Sequence, residues 1–353
     1  MQSPPIPSSR FLFLTALTWM VMSGPATAGS LDLAIAGTGL SLGDSEQIRG
    51  VRINLFDRHL RHVDGINVTL LKSLDPWQGT VHGLALGGAP GLKRLNGVGL
   101  GLLGVGTEKD LNGVAVGGVG VGAGGDATGI LGGLIGAGVG GNARGLFAGG
   151  VGCGIGNDLT GIAFGLVGAG VGGDAHGVVV GGVGSGIGGD LTGISVGGIG
   201  GGIGGDLRGL SFGLIGTGVG GDAAGVLIGG VGQGVGGDFK GLSLSVVGAG
   251  VGGDFHGIGG ALGGLGVGNH LRGIAVGGIM LIAPDVEGIT AALLNGASFS
   301  NFSLDRVNDR YRGLAIGGLN YSRELHGIQL GLLNYAGNNP PWARWLPFIN
   351  VHF

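Results

Sequence analysis

The sequence predicts an all-β protein, a β-solenoid of 16-residue repeats with two short strands per coil and atypical capping repeats at its ends. Three observations point there. One glycine recurs every 16 residues from Gly97 to Gly273 without a slip, through Gly113, Gly129, Gly145 and onward, which is the self-similarity of a repeat array. Three positions before most of these glycines stands an acid: Asp110, Asp126, Asp158, Asp174, Asp190, Asp206, Asp222, Asp238 and Asp254, with Asn142 and His270 as substitutions. The period therefore governs side chains as well as glycine. Helix is excluded because 94 of 353 residues are Gly. Each interior helical glycine costs about 1 kcal/mol relative to Ala, and β-branched residues dominate what remains.

Composition narrows the functional classes. Only 11% of residues are charged and 5% aromatic, yet mean hydropathy is +0.50, unlike either an ordinary globular enzyme or a charged disordered tail. Elastic low-complexity chains tolerate phase slips, whereas here polar and apolar slots keep fixed places, as in an ordered repeat. A formal net charge of −3 with scattered Lys and Arg offers no stripe for nucleic acid. The one basic cluster, Arg58, His59, Arg61 and His62, reads as a solvated edge. Cys153 stands alone, which excludes an intramolecular disulfide. It fills a slot held elsewhere by Ala169, Ser185, Thr217 or Ala249.

Residues 1–28 read as a secretory signal: Arg10 ends a polar region, Phe11 to Met22 is apolar, and Ala26-Thr27-Ala28 supplies a small-residue cleavage pattern. Export is expected, and no cysteine follows the cut to carry a lipoprotein anchor. Beyond it no uninterrupted apolar run reaches the roughly 18–20 residues of a spanning helix. Residues 29–96 are irregular N-terminal repeats forming a cap, with short alternating stretches after Gly50 and Gly65. Residues 97–273 are the regular array. Residues 274–353 hold irregular C-terminal repeats, an insertion at 289–312 and a closing strand from Leu346 to Phe353, after Pro340-Pro341, two residues that cannot donate to a ladder.

With the anchor glycine numbered zero, position one is branched or Leu (Ile130, Leu146, Ile162), position six is nearly always Val or Ile, and position ten is Val or Ile from Val139 to Val267. Position fifteen holds a variable polar set, Thr128, Arg144, Thr160, His176, Thr192, Arg208, Lys240, His256 and Arg272, expected to face water. Positions five and fourteen compensate in size in seven repeats, among them Leu134 with Ala143, Gly150 with Leu159, Leu166 with Ala175 and Gly230 with Phe239, a tendency that fails at Leu102 with Leu111, Gly118 with Ala127, Val246 with Phe255 and Leu262 with Leu271. A shared core pocket would explain this, because close-packed interiors penalise an extra methylene. Residues nine apart on one extended strand lie about 30 Å apart, so sharing a pocket requires the chain to fold back within each repeat.

The alternative is a closed antiparallel outer-membrane β-barrel acting as a channel or passive pore. Export, hydrophobicity and the ending Ile349, Val351 and Phe353 favour it. The Gly and Ala found where lumen-facing polar residues should stand count against it.

Two C-terminal units, Gly313-Leu314-Ala315-Ile316-Gly317-Gly318-Leu319-Asn320-Tyr321 and Gly327-Ile328-Gln329-Leu330-Gly331-Leu332-Leu333-Asn334-Tyr335, together with the Asn-Asn-Pro to His-Phe ending, resemble bacterial surface-exposed repeat proteins of the leptospiral type. The close match covers under a fifth of the chain, and the central array replaces the Gln and Asn slots by Gly, Ala or Ser. The resemblance implies a surface or outer-envelope location and supplies no catalytic residues.

Chemistry-bearing motifs are sparse. Gly-Gly-Asp-x-x-Gly resembles half of a calcium-binding nonapeptide roll, and Asp174, Asp190, Asp206 and Asp222 are the candidate cation ligands. One carboxylate per repeat leaves each such site short of ligands. The competing reading makes Asp126, Asp158, Asp174, Asp190, Asp206, Asp222, Asp238 and Asp254 a row of turn residues bonding nearby amides. Gly-x-Gly-x-x-Gly occurs by composition alone and lacks a βαβ context. His176 and His256 are five repeats apart, and Ser195, Ser211 and Ser243 have no paired base. The sequence thus predicts an exported bacterial envelope or surface repeat protein with a structural or adhesive role, without catalysis or cofactor. Its expected partner is the outer membrane or another surface component, not nucleic acid.

Overall fold

A computed structural model describes residues 29–57, 59–72, 79–296 and 309–353. The predicted signal segment and Arg58 lie outside the described residues. The described residues form a β-solenoid, with no helix among them. In each regular coil a seven-residue strand such as Leu191–Gly197 is followed by a two-residue bend, a four-residue strand such as Gly200–Ile203, and the Gly-Gly-Asp corner. Every strand pairs in parallel with its counterparts one coil away, so Gly177, Gly193 and Gly209 stand in one row. Long strands stack into one sheet and short strands into another, and their alternate residues meet between the two.

The anchor glycine is required twice over. Its φ lies between 128° and 142° from Gly113 to Gly273, a region that side chains disfavour. A Cβ there would also overlap the carbonyl oxygen of the anchor glycine in the preceding coil. This row extends past the regular array, through Gly39, Gly50, Gly65 and Gly83 at one end and Gly288, Gly313 and Gly327 at the other. Spacing along the chain there varies from 11 residues (Gly39 to Gly50) to 25 (Gly288 to Gly313). The corners absorb the length while the strands keep register.

The predicted insertion at 289–312 is therefore narrower. Asp285–Asn295 and Arg310–Ser322 are in-register strands of successive coils, and 297–308, between them, lies outside the described residues. The closed antiparallel barrel is also overturned: neighbouring strands run parallel, with antiparallel pairs only at the two ends. There Ser30–Ile35 lies against Thr38–Gly43, and Trp345–His352 against Glu324–Ala336.

The compensation between positions five and fourteen has a different origin from the one expected. Position five is at a corner and faces water, with Leu134 at 76% exposure, whereas Ala143 at position fourteen is buried, so the two share no pocket. At Gly150 and Gly182 a Cβ would overlap the carbonyl oxygen of the leucine one coil below; corner backbone, not core volume, sets that choice. The residue that position fourteen does trade volume with is four further along the same strand, on the same face: Ala143 with Phe147, Leu159 with Ala163, Ala223 with Leu227, Leu271 with Ala275, all buried. Where Phe255 meets Gly259, Leu265 of the short strand closes the gap.

The core changes character along the axis. In the middle it is aliphatic and aromatic with a few hydroxyls bonded to one another, and at both ends it adds buried charged or amide groups. Arg52, fully buried, donates through Nη1 to Asp57 Oδ1 (2.7 Å) and Asn67 Oδ1 (3.0 Å), and through Nη2 to Asp44 Oδ1 (3.0 Å). At the other end Asn295 Nδ2 donates to Asn320 Oδ1 (3.0 Å) and Asn320 Nδ2 to Asn334 Oδ1 (2.7 Å), a buried amide ladder. Beside it Tyr321 and Tyr335 stack with ring centroids 4.6 Å apart.

Two variant sets test this packing by urea denaturation. Gly193→Ala should cost roughly 3 kcal/mol, from a strained φ plus a backbone clash. Gly186→Ala, where no atom lies within 4 Å of the added Cβ, should be neutral or stabilising by up to about 1 kcal/mol. Leu159→Ala should cost about 2–5 kcal/mol, and Leu159→Ala with Ala163→Leu should recover most of that loss, because it copies the Ala127 and Leu131 arrangement of another coil.

Candidate functional site

The outer surface of the regular coils has three regions, each set by repeat position. At the Gly-Gly-Asp corner the acid row forms a ladder. The Asp190 amide donates to Asp174 Oδ1 and the Asp206 amide to Asp190 Oδ1, both at 2.8 Å, and the pattern continues through Asp222, Asp238 and Asp254. The bond is thus made to the next coil and not within a local turn, which sequence spacing alone did not distinguish. Glycine precedes the acid for a related reason: a Cβ at Gly189, Gly205, Gly221 or Gly237 would overlap the Asp Oδ1 of the coil below. The bonds are longer at Asp158 (3.3 Å, to Asn142 Oδ1) and His270 (3.2 Å), which follow Asn157 and Asn269, and also at Asp126 (3.4 Å), which follows Gly125.

Stacked strands place successive carboxylates about 4.8 Å apart, close enough for mutual repulsion of about 1 kcal/mol in water. Each spends one oxygen on an amide, whereas Ca²⁺ takes six to eight oxygen ligands. Among the described residues no group of three or more His, Cys, Asp or Glu could hold a metal ion.

The C-terminal coils turn the same rows into alternating charges. His270, Asp285, Arg310 and Glu324 succeed one another in one row, and Arg272, Glu287 and Arg312 in its neighbour. His270 Nδ1 lies 3.1 Å from Asp285 Oδ2, Arg310 Nε 3.3 Å from Asp285 Oδ1, and Arg272 Nε 3.1 Å from Glu287 Oε2. These exposed pairs each contribute about 0–1 kcal/mol. At the N-terminal end His59, Arg61 and His62 lie 3.1, 3.1 and 2.7 Å from carboxylate oxygens of Asp44, Glu46 and Asp64, so the described residues of the predicted solvated basic edge each have an acidic partner.

The second region is the short-strand face. Its outward positions, seven and nine, are glycine in every regular coil, from Gly104 and Gly106 to Gly264 and Gly266. At Gly138, Gly154, Gly170 and Gly186 an added Cβ would meet nothing within 4 Å. The third is apolar. Positions one and three on the long strand and five and six at its corner point outward, exposing Ile130, Leu134, Ile135, Phe164, Leu166 and Val167 among others. Sequence reasoning assigns a core pocket only to positions five and fourteen and gives positions one, three and six no face, so this surface goes unmarked. The signal that could have found it is parity: positions two and fourteen share one face, so one and three must occupy the other.

The remaining candidates lie inside. Ser195, Ser211 and Ser243 point into the core and bond across it: Ser195 Oγ lies 2.8 Å from Ser185 Oγ, Ser211 Oγ 2.5 Å from Thr217 Oγ1, and Ser243 Oγ donates to the Gln233 side-chain carbonyl, the amide orientation in which Gln233 also donates to the Leu227 carbonyl. Position fifteen faces water as predicted, and His176 and His256 remain five coils apart on it. Cys153 stacks between Ala137 and Ala169, and burial pushes its thiol up to about 11. Burial likewise raises Tyr311 to about 12, its hydroxyl donating to the Leu314 carbonyl at 2.7 Å. No helix among the described residues is long and apolar enough to cross a membrane. No protein-family model, curated protein or solved structure matches the chain.

Two outcomes are expected of this surface and one of the core. Asp206→Ala should cost about 1 kcal/mol for the lost amide partner, while Asp206→Asn, which keeps an acceptor and removes a charge, should be neutral or stabilising. NaCl should raise Tm by screening the row, and CaCl2 at matched ionic strength should raise it no further; a larger calcium effect would restore the cation reading. Cys153 should resist an aromatic disulfide reagent at pH 8 in the native protein and react fully in guanidinium, since the thiolate is the reactive form.

Proposed function

We propose that the chain is an exported scaffold of a bacterial envelope, non-catalytic, with a structural or adhesive role. The observation that supports this best is the repetition of the outer surface. Three kinds of row each keep one chemistry along most of the regular coils, so the molecule offers long parallel lines of carboxylate, glycine and aliphatic side chains. Repeating surfaces of this kind suit extended contacts, in which many weak identical interactions add along a line. Reactive groups that could have argued for an enzyme are tied up in the core, as with Ser195, Ser211, Ser243 and Cys153. The signal-like segment 1–28 and the resemblance of the two C-terminal units to leptospiral-type surface repeats support an envelope location.

The test is expression of the full chain, tagged after Phe353, in a diderm bacterium. Export predicts a mature protein starting at Gly29, recovered with the envelope and cleaved by protease added to intact cells. Retention in the cytoplasm with Met1 intact would overturn the proposal.

A further inference from the structure

The apolar face is the largest feature that the monomer leaves unpartnered. Leu134, Leu166 and Leu262 at position five are 76%, 61% and 71% exposed. Positions one and six continue the same surface with Ile194 at 40% and Ile215 at 55%. From Gly97 to Gly273 there are eleven coil steps, (273 − 97)/16. At about 4.8 Å per step and about 15 Å across positions one to six, the regular array alone presents roughly 800 Å². Monomers in water typically keep their largest apolar patch at about 300–600 Å².

We propose that this face is the interface of a homodimer, in which two copies pack their long-strand sheets face to face about a two-fold axis. The area fits: roughly 800 Å² from each partner is the size of a specific protein–protein interface. The repeat fits as well. Two surfaces with the same rise per coil stay in step along their whole length, so aliphatic ridges of one copy settle between those of the other, whereas an unrelated partner would match only locally. A two-fold axis makes the contact isologous and closed, leaving no apolar remainder to propagate.

A lipid surface fits less well. Residues 97–273 contain no Trp or Tyr, the side chains that anchor proteins at membrane interfaces. The long strands' polar flank carries the Asp ladder beside position fifteen, where Arg144, Arg208, Lys240 and Arg272 give it mixed charge, so the flank is no uniformly basic strip of the kind that anionic headgroups attract. The glycine face offers no side chains to bury, which leaves the long-strand face as the one with a hydrophobic driving force. The inference is independent of export, because association is measured on purified protein wherever the cell places it.

The experiment is sedimentation equilibrium on the chain from Gly29 to Phe353, with three variants. Leu134→Ser/Leu166→Ser/Leu214→Ser alters corner residues whose position is occupied by glycine in other coils, so the fold should persist, with an unchanged circular-dichroism spectrum and Tm in the monomer. Ile162→Lys/Ile194→Lys places charge at the centre of the face. Asp206→Asn, at the opposite corner, is the control. The expected result is twice the chain mass for wild type and control, with Kd weakened at least 100-fold in both face variants. A wild-type monomer at 100 µM, or a dimer indifferent to both face variants, would overturn the proposal. So would a monomer that floats with phosphatidylcholine vesicles, an outcome assigning the face to a bilayer.

Discussion

Everything in this molecule depends on one close approach, the carbonyl oxygen of each anchor glycine lying where the next anchor would carry a Cβ. That contact fixes strand register from Gly39 to Gly327 and leaves no room for a side chain in the row. Register then makes chemically equal positions stack, so one substitution in a coil is answered by the coils above and below it. The Asp ladder follows from the same stacking. Its carboxylates sit at a spacing that invites repulsion, and each is tied to the amide of the next coil while glycine clears the space.

The two ends solve a different problem from the middle. An interior coil is covered on both sides by copies of itself, so its core is filled by exchanging volume between two inward positions four residues apart. A terminal coil has a neighbour on one side only. Antiparallel strands cover it there, and polar networks around Arg52 and along Asn295, Asn320 and Asn334 replace aliphatic packing. Buried polar groups of this kind are tolerated when their partners are in place and are costly when any one is removed. They fix where each end coil sits more sharply than sliding aliphatic contacts would. Gln329, Asn320 and Asn334, the polar slots of the last two repeat units, are among these inward groups.

An uneven outer surface is what remains after these demands are met. The acid corner and the variable polar row account for solvation along one side. The aliphatic rows on the other side satisfy no need of the single chain, since their inward neighbours already fill the core. Glycines at position nine from Gly138 to Gly266 are likewise without a steric cause inside the monomer, whereas at position seven a Cβ would face the carbonyl of the next coil, overlapping it at Gly104 and lying 3.2 Å from it at Gly120; together they leave the short-strand face nearly bare backbone.

The 16-residue period, the two strands per coil and the water-facing slot at position fifteen were legible in the sequence because a fixed period permits only stacking that repeats it. The row of acids was legible as a row, though not its partner, since an amide 16 residues away is near only after the coils stack. Position five was misread because Leu134 and Gly150 alternate in a way that resembles core compensation, while the cause is a corner carbonyl that no sequence spacing displays. Coil length and register were thus determined by the sequence alone, through glycines that admit no substitute. Which aliphatic rows became core and which became surface was decided only when the second sheet closed over one face of the first, because a strand's two faces are equivalent until something packs against one of them.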